Sequence, residues 1–582
     1  MPIWHFKARS RWAPAFRAFR VHRARHPHIV EHAKQRAVWG AHAPLVLAMG
    51  PLPSRTFSAT HDPRICSLLT RRVLGEAPKR TREARALRGM IAWTIYITFG
   101  GAVLLLLLPR TFARWSALLT TIAGLVLGLI ALVRTPIADL AHFTTIVHAP
   151  WVPALGMNYH LAIDGVSLTM VLVTGISAVS TVLFSWDVED RQNEFFFWLL
   201  LVVAGCYGVF LSADLFLFFA FYELVIVPKY FLIAVFGSTN KEYGAMKLTL
   251  YSFFGGIFVF IGVLIAYVTA GSLDLNQLSQ FQFSPQLQSW AFPVLFLGFA
   301  VLAGIWPLHT WAPTGHVAAP TAGSMLLAGI VMKLGSYAGL RVAMNLFPQG
   351  FQMWSKWIAF LAVVGIVYAA AVALRQRDLK FVIGYSSVSH MGFVLLGLAA
   401  STALSVSGAI LQMFSHGVIA ALLFAVAGRM IYPRTHTREL DALAGMNLSR
   451  ALPFAAFTFV IAAAASMGIP GFSGFAAEIT ILIGAWKTYP LAVWITGAGM
   501  VLVAAFTLRA LKQSFFGEAE AGVHLQEGRV ALDPDWNEQQ SITAAEKCGA
   551  CLLMFATLAV GLYPKLLLDR IMPAVEAMRF LK

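Results

Sequence analysis

Charge is what this 582-residue sequence lacks most: 12% of its residues are Asp, Glu, Lys or Arg, against 58% hydrophobic. Soluble domains carry about 25% charged residues, so half the usual solvating charge is missing. Such a chain cannot cover its surface in water. A soluble multidomain enzyme and a disordered scaffold are excluded, and a polytopic membrane protein is implied. Cysteine is also scarce, with Cys66, Cys206, Cys548 and Cys551 only. Cys548-Gly-Ala-Cys551 has metal or redox spacing, but it opens an apolar helix and no second pair completes a four-thiolate site or a disulfide framework. A Gly-rich nucleotide loop after a strand, a nucleophile with a placed base and a metal constellation are all missing, which excludes an independent enzyme.

The net charge of +17 resembles a nucleic-acid signal until it is divided along the chain. Residues 1–88 hold 18 Lys and Arg against 4 Asp and Glu, and residues 89–582 hold 26 against 23. The excess belongs to the N-terminal segment, so the basic balance carries no expectation of DNA or RNA. Residues 1–57 are rich in Arg, Ala and His, with no acidic residue before Glu31. Trp12, Phe16 and Phe19 alternate with Arg17, Arg20 and Arg23 as in a basic amphipathic helix. That is the composition of a mitochondrial transit peptide, with Arg55-Thr56-Phe57-Ser58 resembling a processing site. The alternative is a retained basic arm on a membrane surface or partner. A second basic extramembrane segment, 58–90, follows.

A membrane span needs about 20 apolar residues. Fourteen are predicted, at 91–108, 115–133, 162–186, 194–212, 213–236, 245–270, 291–312, 321–346, 355–374, 381–400, 403–431, 451–486, 490–513 and 548–569. They group as N-terminal helices (91–186), two five-helix units (193–346 and 355–513), a polar loop (514–547) and a C-terminal helix (548–582). Loops after odd-numbered spans hold fifteen Lys and Arg, and even internal loops hold only Arg134, Arg341, Lys356 and Lys487. The positive-inside rule then puts the odd loops in the matrix and both termini outside. Arg80, Arg82, Arg85 and Arg88, ahead of the first span, pull the other way. The seventh span is interrupted at Gly304-Ile305-Trp306-Pro307 and the twelfth at Gly468-Ile469-Pro470-Gly471. Broken helices at matching places in two repeats point to an ion pathway.

An ionisable side chain near the bilayer centre costs at least about 2.5 kcal/mol and so requires a reason. Glu223, Lys333, His390, His416 and Glu478 fall within spans, and together they read as a proton relay tuned by burial and neighbours. Lys229 and Lys247 lie nearer span ends, where snorkelling to the interface accounts for both.

Trp306-Pro-Leu-His309-Thr-Trp-Ala-Pro-Thr-Gly-His316, Ala162-Ile-Asp164-Gly-Val-Ser, Phe221-Tyr-Glu223 and Asp378-Leu-Lys380-Phe-Val-Ile-Gly-Tyr resemble the motifs of the antiporter-like subunits of respiratory complex I. Arg434-Thr-His-Thr-Arg438, after His416-Gly417, points to the chain 4 branch of that family rather than the chain 2 or 5 branches. The resemblance runs in order over about residues 90–570. It implies an all-α fold of about fourteen transmembrane helices with two inverted five-helix repeats, each with a broken helix. It implies proton transfer by Glu223, Lys333, His390, His416 and Glu478, and a multi-pass place in the mitochondrial inner membrane. No cofactor is implied on this chain: NAD, FMN, Fe–S clusters and ubiquinone would sit on other subunits. The implied partners are other membrane-arm subunits, especially those of the chain 2 and chain 5 types, and the lipid bilayer.

The sequence departs from the family where its seventh-span lysine, 31 residues before Lys333, would stand: that position is Leu302. The family's glutamate near His316 is Ala318, and a nearby acidic position is Thr314. Three readings follow. His309, seven residues past Leu302 and on nearly the same helix face, carries the proton instead. Or Lys229 or Lys247 compensates Glu223, although six residues turn a helix about 240°, off the Glu223 face. Or the subunit no longer pumps and only spans the arm. A cation/proton antiporter subunit shares the same motifs and is the competing function.

Overall fold

The computed structural model describes residues 89–517 and 541–581. The basic segment 1–88, including the expected processing site, and most of the polar loop lie outside the described residues. Seventeen helices matter for the architecture. They are α1 (Trp93–Leu107), α2 (Arg110–Arg134), α3 (Gly165–Leu183), α4 (Gln192–Leu211), α5 (Leu215–Phe236), α6 (Lys241–Ala270), α7 (Pro285–Ala303) and α8 (Trp311–Ala318). After them come α9 (Thr321–Met344), α10 (Pro348–Arg375), α11 (Leu379–Ala400), α12 (Ala403–Thr435), α13 (Pro453–Ser466), α14 (Ser473–Ala485), α15 (Pro490–Phe516), α16 (Ala544–Leu562) and α17 (Lys565–Glu576).

Twelve of these helices are long and apolar enough to cross a membrane unaided. The shorter α1, and the half-helices α13 and α14 taken as one crossing, bring the path to the expected fourteen, with α8 continuing beyond the break that ends α7. Cross-contacts fix the parity. Tyr96, near the start of the first span, faces Tyr159 in the loop after the second, and Arg579 donates to the carbonyls of Ser279 and Phe281 in the loop after the sixth. Asn193, after the third span, donates instead to Leu105 and Leu108 at the end of the first. The two ends of the described chain therefore share one face, as an even number of crossings requires.

Residues of the sequence's own making start these helices. Asp164 and Ser167 form a capping box at α3, Thr402 and Ser405 another at α12, and Thr543 and Glu546 a third at α16. Each satisfies backbone N–H groups that would otherwise be orphaned at the membrane boundary. The centre of the bundle is α9 and α12, both buried along their whole apolar length, with α3 and α11 nearly so. The outer helices show apolar side chains such as Leu107, Val268, Leu491 and Phe555 at the surface. That is the arrangement expected where the solvent is hydrocarbon.

The two five-helix units repeat each other at the level of single hydrogen bonds. α7 and α13 both end in a glycine with left-handed backbone, Gly304 and Gly468, each at φ 69°. Ile305 N–H then reaches back to Ala300 C=O, and Ile469 N–H to Ala464 C=O, the same six-residue closure of a helix end. Asp214 caps α5 and its backbone pairs across to Asp274, while Asp378 caps α11 and pairs across to Glu439. Leu215 and Leu275 exchange amide bonds with the opposite strand on one face of the bundle, and Leu379 and Leu440 do so on the other. Five crossings separate the matching features, so the second unit is inverted relative to the first.

Four features differ from the sequence reading. The loop after α2 folds into an antiparallel hairpin, β1 (Thr144–Val152) and β2 (Met157–Ile163), so the fold is helical with one small sheet. The stretch expected as a last helix, 548–582, divides at Tyr563-Pro564: α16 stops at Leu562, and the amphipathic α17 lies against α3 and α12. Proline has no N–H to continue the ladder, which ends the span there. Arg341, counted as a loop charge, is buried within α9 in an ion pair with Asp164 at 2.5 Å. Lys380, counted likewise, is buried at the start of α11 and donates to Ala319 C=O at 2.9 Å.

Candidate functional site

A row of ionisable side chains crosses the middle of the bundle. In α9 the helix loosens to five-residue spacing over Leu327–Val331. Such π-helical stretches free carbonyls from the ordinary ladder and are common at functional sites. Here the Ala328 carbonyl accepts from the Lys333 ammonium. Lys333 Nζ also lies 2.7 Å from His416 Nδ1 on α12. The His416 and His390 rings follow at 5.5 Å between centroids. His390, on α11, places Nδ1 3.2 Å from Glu478 Oε1 on α14 and Nε2 3.1 Å from Ser466 Oγ at the end of α13. Gln412, one turn before His416, donates to the same Glu478 oxygen at 3.4 Å. All six side chains are buried.

The second helix break makes room for the far end of the row. A β-carbon at Gly468 would lie 2.8 Å from Glu478 Oε2, so the left-handed glycine that ends α13 also admits the carboxylate. Beside it, Ser415, Ser473 and Thr557 form a hydroxyl chain at 2.8 Å per step, linking α12, α14 and α16.

The first unit supplies Glu223 and Lys229. α5 is not one helix: it runs from Leu215 to Leu224, breaks at Val225, and resumes at Ile226 with Pro228 in its first turn. The proline clashes with a carbonyl four residues back and breaks the ladder. Val225 itself keeps right-handed helical backbone, at φ −67° and ψ −20°, and Lys229 takes Ser252 rather than Glu223 as its hydrogen-bond partner. Lys229 does not snorkel. It is 2% exposed and donates to Ser252 Oγ on α6 at 3.1 Å. Glu223 is half-buried, its Oε1 without a hydrogen-bond partner and seated where a β-carbon at Gly256 would collide. Between Lys229 and Leu327, Gly323 and Val331 of α9 lies a cavity of about 10 Å³, with Lys229 its one polar lining side chain. Lys247 is half-buried and donates to Thr314 Oγ1 at 3.3 Å, as an interfacial lysine would.

Leu302 is buried in the last turn of α7. His309 does not share its helix face, because the helix ends at Gly304 and the periodic argument stops there. It lies in the turn between α7 and α8, buried, with Tyr368 and Tyr385 of the second unit at 5.4 and 6.2 Å between rings. Neither its ring nitrogens nor those of His316, which stacks on Phe424, has a partner of normal geometry. The structure thus groups Lys333, His416, His390 and Glu478 in one contact row; Glu223 and Lys229 sit on the two halves of α5 without a bond between them, and His309 stands apart between aromatic rings. Sequence reasoning weighed Lys229 only as a snorkelling lysine or a counter-charge to Glu223, and missed Lys380 and Gln412. Only Gln412 carried a signal, four residues before His416 and so on its face.

Titratable groups held in a lipid-shielded bundle beside two broken, inverted helices define an antiporter-like membrane subunit. Residues 212–504 match the family described as "NADH:quinone oxidoreductase/Mrp antiporter, TM". The chain is 36% identical over 461 residues to NAD(P)H-quinone oxidoreductase chain 4 1 of Synechococcus elongatus, covering 78% of this chain and 84% of that one. It is 34% identical over 476 residues to NADH-quinone oxidoreductase subunit M of Rhodobacter capsulatus, covering 80% and 90%. A chain of respiratory complex I from Thermus thermophilus superposes with a TM-score of 0.75 at 26% identity, over 84% of this chain and all of that one. A chain of the Mrp complex from Dietzia shares the fold, with a TM-score of 0.71 at 22% identity, over 85% and 97%. The chain belongs to the NADH:quinone oxidoreductase/Mrp antiporter membrane-subunit family.

Proposed function

We propose that this chain is a proton-translocating membrane-arm subunit of a respiratory NADH:quinone oxidoreductase, with Glu223, Lys229, Lys333, His416, His390 and Glu478 as its proton-transfer groups. The observation that carries the reading is the buried contact row from Lys333 through His416 and His390 to Glu478. Each member can hold a proton, and Lys333–His416 and His390–Glu478 are each within transfer distance. Lys333 Nζ and His416 Nδ1 share one proton. Rotation of the imidazoles passes it to His390, and Glu478 accepts it beside the second helix break. Glu223 and Lys229 load the row from the first unit, Lys229 bordering the small cavity that faces α9. His309, buried without a nitrogen partner, is a further transfer group on the way to the second unit.

Leu302 supports a second reading, a structural subunit with a closed path, because it leaves the end of α7 without an ionisable group. The buried Lys229 weighs against it: a lysine is kept in a dry interior at high cost unless it has work there. Redox energy is released elsewhere in the complex, and NAD, FMN, Fe–S clusters and ubiquinone belong to its other subunits. The partners are membrane-arm subunits of the chain 2 and chain 5 types. The location is the mitochondrial inner membrane, with residues 1–57 as targeting segment and the odd-loop face in the matrix. Repeats 193–346 and 355–513 form the two halves of the path.

Gentle solubilisation, a native gel stained for NADH dehydrogenase activity and peptide sequencing of the active band test membership. The chain is expected in that band. Migration apart from the activity would replace this reading with a cation/proton antiporter subunit.

A further inference from the structure

The hairpin face carries a group of side chains with no part in the buried row. His148 on β1 and His160 on β2 are direct cross-strand partners, their rings 4.8 Å apart at 80°. Asp274, from the loop that leads into α7, points its Oδ2 at His160 Nδ1, 2.7 Å away. The ligand atoms of all three lie within 4.8 Å of one another. Among the described residues this is the one grouping of His, Cys, Asp and Glu with that property. No sequence pattern marks it, since the members stand at 148, 160 and 274 and only the closed hairpin brings them together.

We propose that His148, His160 and Asp274 form a binding site for a divalent transition-metal ion of the zinc class. Two imidazoles and one carboxylate are ligands suited to zinc, and three protein ligands with an open fourth position make a site that exchanges with solvent. The outer ligands are already oriented by others. His160 Nε2 contacts Thr145 Oγ1 at 2.8 Å, which holds the ring so that Nδ1 faces the carboxylate. Asp274 Oδ1 accepts the backbone N–H groups of Asn276 and Gln277 at 2.9 and 3.0 Å, leaving Oδ2 for the ion. Supporting bonds of this kind hold metal ligands in place.

Without metal, a proton bridges His160 Nδ1 and Asp274 Oδ2. The ion takes the place of that proton, which leaves to solvent, and the two atoms part from 2.7 Å to the roughly 3.3 Å that tetrahedral zinc ligands require. Access is direct, because His148 is exposed while His160 is buried. A bound ion would staple the hairpin to the segment entering the first broken crossing.

The test is a zinc titration, in competition with a chromophoric chelator, of the complex purified with this chain wild-type or carrying His148→Ala. Wild-type complex is expected to hold one more equivalent of zinc than the variant, or to bind it at least 10-fold more tightly. Zinc should also slow hydrogen exchange across residues 144–163 in wild type alone. His148 is exposed and outside the His160–Asp274 contact, so this variant should assemble normally. Asp274→Asn, which keeps an oxygen for the helix cap, should show the same loss. Equal zinc stoichiometry and affinity in wild type and His148→Ala would overturn the proposal.

Discussion

Replacing His416 with glutamine tests whether the central contact row moves protons. Lys333 Nζ and His416 Nδ1 are 2.7 Å apart. Two positive charges at that distance repel by about 6 kcal/mol at an effective dielectric of 20. A doubly protonated pair is then suppressed roughly 10⁴-fold, so the pair carries one charge and one transferable proton. Glutamine keeps an acceptor for the Lys333 ammonium and nearly the same volume, but it cannot take a proton and pass it on. Loss of a positioned proton-transfer group costs about 10² to 10⁴ in rate. Flux through this subunit should therefore become negligible beside turnover. The assay is acidification of inverted membrane vesicles, read as the initial rate per NADH oxidised, with electron transfer measured separately under uncoupler. His416→Gln should lower the first and leave the second within about two-fold. An assembled His416→Gln complex with wild-type acidification would refute the reasoning.

Other consequences are equally open to measurement. Lys229→Met should lower vesicle acidification, and adding Leu302→Lys should recover part of it by returning a charge to the interior; an unaffected Lys229→Met would remove Lys229 from the path. Arg341→Met strands the buried Asp164 carboxylate and should destabilise the subunit by about 3–5 kcal/mol, seen as loss of the assembled complex on heating native membranes, with Asp164→Asn on top restoring part. Asp274 offers a pH dependence. Burial raises its carboxyl, but hydrogen bonds from His160, Gln277 and Asn276 prevail and hold it below the ordinary value. A depressed carboxyl stabilises above its unfolded value, about pH 3.9, and that stabilisation is lost as pH falls through the lower folded value. Hydrogen-exchange protection that Asp274 confers on the hairpin should therefore persist from pH 7 to about 5 and fail only below about pH 4. Asp274→Asn should abolish that transition.

Much of this architecture is written as uninterrupted apolar runs, because a span must satisfy its backbone internally and shows that need in some twenty consecutive residues. The breaks at Gly304 and Gly468 were legible for the same reason: a left-handed turn wants glycine, and proline follows it. Reasoning failed where it carried helical periodicity through a break. His309 does not share the face of Leu302, because the helix ends between them, and Lys229, whose place near a span end suits snorkelling, is buried against Ser252 instead. Charges near span ends were read as loop charges, yet Arg341 and Lys380 turn inward to Asp164 and to Ala319 C=O. A one-dimensional pattern gives depth but not direction. The hairpin leaves little trace because its strands, 9 and 7 residues long, are too short to span, lie between strong apolar runs, and the second runs straight into the third span. The π-helical stretch beside Lys333 has no composition of its own and arises from packing.

In the proposed path Lys333 is an obligatory carrier, and the most direct measurement is the number of protons translocated per NADH when it is replaced by methionine. The methionine side chain fits the same buried position on α9, facing His416 of α12, but holds no proton. Lys333→Met is predicted to assemble, to oxidise NADH under uncoupler, and to translocate fewer protons per NADH than wild type. An unchanged ratio in a fully assembled Lys333→Met complex would contradict the central claim and leave the chain a structural member of the arm.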